Sequence, residues 1–133
     1  MMGAMIAIDL GLKRIGLALS YGQGIVTPLR AIERKNRHQA AAEVKKVLDE
    51  YQALKVVVGI PMGSTTEAEM RRRVEHFMNL VDFHGEIAYQ DESYSSQEAE
   101  SLMKGEISYK RDGRIDSLSA KIILERYLKI IRF

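Results

Sequence analysis

One stretch near the start of the chain constrains its fold more than any other. Residues 4–20 read AMIAIDLGLKRIGLALS, two apolar runs joined by a short basic turn. The first run, Met5 to Leu10, is almost continuously apolar, the pattern of a strand covered on both faces of its sheet. The second, Ile15 to Tyr21, returns as its hairpin partner, with Lys13 and Arg14 at the turn. Asp9 is the one charged residue inside the first run, close to its end. Burying a lone carboxylate is costly unless a cation or hydrogen bonds compensate it. Two readings follow. Asp9 caps the turn, as aspartate often does, or it stands at a strand end to hold a metal ion. Gly11 and Gly16 suit the second reading, because glycine lets backbone pass close to a ligand.

The rest of the chain supplies a sheet around that hairpin. After the glycine-rich turn Tyr21-Gly22-Gln23-Gly24, a third strand is predicted over about 25–32, and Pro28 within it argues for an edge position. Asn36 and Gln39 form a capping box for an amphipathic helix over 37–52, with Ala40, Val44, Val47, Leu48 and Tyr51 on its apolar side. Lys55 to Ile60 is a short β-branched run stopped by Pro61, which reads as a buried parallel strand. Thr66 and Glu69 suggest a second capping box, for a helix over 67–82. A fifth strand is predicted over 86–90, and Ser95 with Glu98 opens a short helix after it. A basic loop spans 104–114, and a last apolar helix spans 115–131. A strand–helix–strand passage demands a right-handed crossover. The connections are satisfied by an α/β fold with a mixed five-stranded sheet in the order 3-2-1-4-5 and helices on both faces. That is the RNase H-like architecture.

Length and composition narrow the possibilities. A chain of 133 residues predicts one domain, residues 1–133, with a proper core. The absence of cysteine excludes disulfides, thiolate catalysis and cysteine zinc sites. No apolar run approaches the roughly 20 residues that span a bilayer, and no basic segment precedes the first apolar run as in a secretory signal. A membrane partner is therefore not expected, and the cytoplasm is the expected home. The net charge of +2 conceals an uneven distribution. Residues 9–37 carry six Lys/Arg against two Asp/Glu, residues 38–103 six against twelve, and residues 104–133 eight against four. Two basic segments thus flank an acidic middle. If the fold brings them together they form a positive face for a phosphate backbone; otherwise they are solvated surface. The residues expected on such a nucleic-acid-binding face are Lys13, Arg14, Lys110, Arg111 and Arg114. The triplet Arg71-Arg72-Arg73 reads first as exposed helix surface, with phosphate contact as its alternative. His38, His76 and His84 have no metal-ligand spacing and are assigned to surface or core.

Three acidic residues fall where an element ends or begins. Asp9 closes the first strand, Glu92 follows the fifth, and Asp116 opens the last helix. In the expected topology the first, fourth and fifth strands run parallel, so Asp9 and Glu92 emerge at one edge. Asp116 is also explained by the helix dipole, which favours a carboxylate in the first turn. Asp91 is the alternative to Glu92, since neighbouring strand residues face opposite sides. Three ionised carboxylates in one place repel each other. All-oxygen ligands select Mg²⁺ or Mn²⁺, and two such ions about 3.5–4 Å apart are enough to activate a water and stabilise a leaving oxygen. The expected catalytic and metal-binding set is therefore Asp9, Glu92 and Asp116.

The opening Asp-x-Gly pattern alone resembles both the phosphate loop of actin-like ATPases and the first strand of RuvC-type nucleases. The ATPases need two such domains, which this chain is too short to supply. Four blocks together resemble the YqgF family, also called RuvX, a group of bacterial RNase H-like proteins. They are Asp9, Gly11, Lys13, Arg14, Ile15, Gly16 and Ala18; Val58-Gly59-Ile60-Pro61; Asp91-Glu92-Ser93; and Ile115-Asp116 through Leu124. The resemblance spans Met5 to about Leu128. It departs at Ser93, where the family has arginine, in the short loop after Pro61, and at Ser119 in place of alanine. The missing cation at position 93 is expected to be replaced by Arg14 or by the 110–114 loop. The resemblance implies a metal-dependent nuclease that matures the 5′ end of 16S ribosomal RNA, with precursor rRNA or ribosomal precursor particles as partners. A Holliday-junction resolvase acting on branched DNA, and a non-catalytic nucleic-acid-binding or ribosome-binding module, are the alternatives.

Overall fold

The computed structural model describes residues 3–93 and 113–129. Strands β1 (Ala4–Leu10), β2 (Arg14–Ser20) and β3 (Thr27–Glu33) form an antiparallel meander. Helix α1 (Arg37–Glu50) leads to β4 (Ala53–Ile60), which pairs parallel to β1. Helix α2 (Glu67–Val81) leads to β5 (Glu86–Asp91), parallel to β4, and α3 (Gly113–Tyr127) closes the fold. The sheet order is β3-β2-β1-β4-β5, as the connections predicted. Pro28 lies in β3 at the sheet's edge, opposite Ala18. The helix expected after Ser95, and most of the basic loop, lie outside the described residues.

The two faces of the sheet are packed differently. Ile6, Ile8 and Leu10 of β1, Ile15, Leu17 and Leu19 of β2, and Val56, Val58 and Ile60 of β4 share one core with Val44 and Leu48 of α1 and Val74 and Phe77 of α2. Alternation turns Ala7, Ala18 and Val57 to the other side, against Ala120, Ile123 and Leu124 of α3. Ala7 and Ala18 are direct cross-strand partners, and the next pair on that face is Asp9 with Gly16. Small side chains in this lane let α3 lie close to the sheet.

One expected capping box forms and the other does not. Asn36 Oδ1 accepts from the Gln39 N–H at 2.8 Å, and Gln39 Oε1 accepts from the Asn36 N–H at 3.2 Å. At Thr66 no side-chain cap bond is made. Its backbone, at φ −99° and ψ 2°, is not the extended one a cap residue uses. Its hydroxyl lies 3.0 Å from that of Ser64, and Glu67 instead accepts from the Gly63 N–H at 2.7 Å. The sequence pattern holds for α1 because the chain enters that helix from an extended strand end. It fails for α2 because a tight turn precedes that helix.

This contrast is measurable. Asn36→Ala is expected to destabilise the protein by about 1 kcal/mol, the usual effect of losing a cap. Thr66→Ala is expected to stay within about 0.5 kcal/mol of wild type, as for surface changes away from special features. Urea denaturation of both variants decides it.

Candidate active site

Asp9 and Glu92 meet on the α3 face of the sheet. Asp9 is half-buried in β1, two residues beyond Ala7. Glu92 directly follows β5, and its N–H donates to the Ile60 carbonyl at the end of β4, 2.9 Å away. Its carboxyl hydrogen-bonds with that of Asp9. Gly59 makes this reach feasible, because a Cβ there would stand 3.0 Å from both Cβ and Oε2 of Glu92. The Glu92 pKa is pushed up to about 8, first by burial, then by the Asp9 charge, the hydrogen bond to Asp9 and the Asp91 charge.

Asp91 points the other way. Its Oδ1 accepts from the Met62 N–H at 3.2 Å, the Ser93 N–H at 3.1 Å and the Ser93 hydroxyl at 2.8 Å. These bonds, the two from Ser93 foremost, hold its pKa below the usual carboxylate range. Asp91 organises the turn, and Glu92 reaches the site.

Asp116 arrives by close backbone packing. A Cβ on Gly16 would lie 1.9 Å from the Asp116 carbonyl oxygen and 3.0 Å from the Ser117 nitrogen. The first turn of α3 therefore rests on the strand position directly opposite Asp9. Ser117 fastens it, its hydroxyl donating to the Leu29 carbonyl at 2.5 Å. Among the described residues, no three Asp, Glu or His side chains stand close enough together to form a metal cluster.

The expected cations distribute unevenly. Lys13 is exposed at the hairpin turn and Arg114 is exposed in α3, two residues before Asp116. Arg14 turns to Glu33 of the neighbouring strand, with a separation of 3.6 Å. Lys110 and Arg111 lie outside the described residues. The cation that reaches Ser93 is Arg126, from the last turn of α3. Its Nη1 donates to the carbonyls of Asp91 at 3.2 Å and Ser93 at 2.9 Å. In the sequence Arg126 carries only the signal of a basic residue favoured by a helix C-terminus.

Parallel strands ending in carboxylates, an antiparallel hairpin on one side and a helix packed across it define an RNase H-like fold. Two solved structures share it: Thermus thermophilus RuvC in complex with Holliday junction substrate (TM-score 0.58, 12% identity, 96% of this chain and 95% of that one) and the fowlpox virus Holliday junction resolvase (TM-score 0.55, 11% identity, 96% and 99%). A family profile described as "RuvX: Holliday junction resolvase" matches residues 3–130. This chain belongs to the RuvX (YqgF) family. A protein of Sulfurimonas denitrificans named "Putative pre-16S rRNA nuclease" is 70% identical over 124 residues, covering 93% of this chain and 95% of that protein. One of the same name from Sulfurovum sp. is 49% identical over 124 residues, covering 93% and 97%.

Two predictions rest on this geometry. Gly16→Ala forces the first turn of α3 away from β2 and should destabilise the fold by about 1–3 kcal/mol or more, as overpacking does; urea denaturation measures it. The second is a pH effect. In the folded, metal-free protein Glu92 keeps its proton up to about 8, whereas the ordinary value is 4.5. The folded state therefore binds the extra proton, and its contribution to stability is complete below 4.5 and fades as pH rises toward 8. Thermal unfolding in a chelator at pH 5 and pH 8.5 should show a loss in wild type that is smaller in Glu92→Gln.

Proposed function

We propose that this protein is a metal-dependent endonuclease that cuts the precursor of 16S ribosomal RNA during maturation of its 5′ end. The observation that carries the catalytic part is the hydrogen-bonded Asp9–Glu92 pair at the ends of parallel strands. Membership of RuvX makes the chain a phosphodiester-hydrolysing nuclease. The names of its relatives support rRNA as the substrate.

The donor chemistry of the proposed residues suits a hard divalent cation; the structure brings Asp9 and Glu92 together and, among the described residues, adds no third such side chain to the group. The proposed ligand set, Asp9, Glu92 and Asp116, offers carboxylate oxygen alone, which favours Mg²⁺ or Mn²⁺ over softer metals. The raised pKa of Glu92 fits as well: burial first, and then the Asp9 charge, oppose its ionisation, and a bound cation would offset both. When bound, such an ion supplies charge neutralisation at the phosphate and lowers the pKa of a bound water. The chain's own part is positioning. Asp9 is fixed in a strand paired on both sides, Glu92 is anchored through the Ile60 carbonyl, and Asp116 is set by α3 resting on Gly16. Lys13 and Arg114, both exposed near these elements, are suited to hold the backbone phosphates of the bound strand. Arg14, Lys110 and Arg111 belong to the same proposed basic rim. A cytoplasmic setting, with ribosomal precursor particles as the working context, belongs to this reading; among the described residues no helix is long and apolar enough to cross a membrane.

A second reading, resolution of four-way DNA junctions, is favoured by the description of the family itself. The two are separated by cleavage assays on precursor 16S rRNA, four-way junction DNA and unstructured single-stranded RNA, in Mg²⁺ and in Mn²⁺. Preferred cutting of the rRNA precursor is expected; preferred cutting of the junction overturns the rRNA assignment. Asp9→Asn is expected to abolish cleavage while nucleic-acid binding persists or tightens, because less negative charge faces the phosphates. Glu92→Gln and Asp116→Asn should inactivate in the same way. Wild-type cleavage by purified Asp9→Asn protein would move the activity to another site.

A further inference from the structure

The opposite face of the sheet carries a second feature. A cleft of about 450 Å³ opens between α1 and α2 beside the end of β1, and Arg34, Arg37, Arg72, Arg73 and His76 line it. Among the described residues of its lining, Glu69 is the only carboxylate. These side chains come from three places in the chain: Arg34 from the β3–α1 connection, Arg37 from the first turn of α1, and Arg72, Arg73 and His76 from the middle of α2. Among the described residues none of these arginines joins a salt bridge. Arg71, the first of the α2 triplet, is used differently: it pairs with Glu67 at 3.3 Å and lies over the Tyr89 ring at 4.6 Å.

A solvated basic surface would leave its guanidinium groups spread into water. Here Arg34 and Arg73 are half-buried beside one another, and Arg37, Arg72 and His76 line the same cleft from exposed positions. Arg34 is half-buried, stacks on the Phe77 ring at 5.5 Å and donates to the Gly11 carbonyl at 2.9 Å. Burial, and then the neighbouring charge of Arg73, lower its pKa from the usual arginine value. Arg37 Nη1 donates to His76 Nε2 at 3.1 Å, so two more potential donors are gathered at the mouth. Converging like charges with one matching carboxylate form an arrangement that an anion completes. Arginine's planar fork suits phosphate oxygens in particular.

Its position says whose phosphate. Leu10 lines the cleft, while Asp9, one residue earlier, faces α3. Arg34 is tied to the β1–β2 hairpin twice, through Gly11 and through its own N–H to the Lys13 carbonyl at 2.8 Å. The carboxylates and the arginines thus lie on opposite sides of one hairpin, and exposed Lys13 stands at its turn. We propose that the Arg34–Arg37–Arg72–Arg73–His76 cleft binds the phosphate backbone of the substrate strand after it crosses the hairpin from the carboxylate site. This rests on the nuclease reading above. Contacts of this kind fix the register of a strand without reading its bases.

The test is binding of a fluorescent single-stranded RNA across a salt series, by anisotropy, in the cleavage-silent Asp9→Asn chain. Adding Arg37→Gln, Arg72→Gln and Arg73→Gln should weaken binding at low salt. The slope of log K against log salt should become shallower by about 2, since each single-strand phosphate that the protein no longer neutralises removes about 0.7. Replacing the same three residues by lysine keeps the charge and should keep the slope. An unchanged slope in the glutamine variant, with thermal unfolding showing an intact fold, overturns the cleft assignment and leaves the nuclease reading standing, which cleavage by wild type decides separately. Failure of the Asp9→Asn chain to bind RNA or DNA at all overturns both. Inorganic tripolyphosphate distinguishes the other source of the same chemistry. If it raises the unfolding temperature of wild type but not of the glutamine variant, while the RNA slope is equal in both, the site takes a free anion and the strand assignment is wrong.

Discussion

The structure depends on how closely α3 lies against the sheet. Along that face β1 and β2 present Ala7 opposite Ala18 and then Asp9 opposite Gly16, while β4 presents Val57 and then Gly59. Side chains larger than these would hold the helix away. At Gly16 the approach is backbone on backbone, with room for a hydrogen and nothing more. At Gly59 the space left by the missing Cβ is taken by Glu92 and by Ile123 of α3. The same small residues therefore do two things. They let the helix seal the second core, and they bring three chain segments far apart in sequence to one strand end. The seating of α3 and the placement of Glu92 are set by one packing constraint.

Charge is arranged around that constraint. The α3 face concentrates carboxylates at the strand ends, and Glu92 keeps a proton there because burial and Asp9 oppose its ionisation. The α1–α2 face concentrates guanidinium groups beside Leu10. The thickness of the sheet and the β1–β2 hairpin keep these opposite charges from pairing and cancelling.

Much of this was legible because it is local. Continuous apolar runs marked β1 and β4 as central, Pro28 marked β3 as an edge, and the crossover then dictated the strand order. Alternation stated that only one of Asp91 and Glu92 faces the site. It did not say which, because that rests on Met62 and Ser93 donating to Asp91. The arginine cleft was hidden for a related reason. Counting charge by segment marked residues 38–103 as acidic, yet that segment supplies Arg72, Arg73 and His76. A sum along the chain averages over both faces of a helix, and only the packing of α1 on α2 turns one face into a cleft.

Position 93 shows how the turn after β5 is held without an arginine of its own. The family's arginine would follow Glu92 directly in the chain; here Ser93 stands in that place. Its hydroxyl and N–H both go to Asp91, tightening the turn from within. Arg126, reaching from the last turn of α3, donates to the carbonyls on either side of Glu92. A guanidinium has several donors in one plane, so a single side chain can span both carbonyls. Its charge also lies near Asp91 and helps to lower that residue's pKa. The segment that aims Glu92 is thereby clamped by α3 at one end of the helix, while Asp116 is placed by the other. One helix thus fixes both the turn that carries Glu92, through Arg126, and the backbone at Asp116, through Gly16.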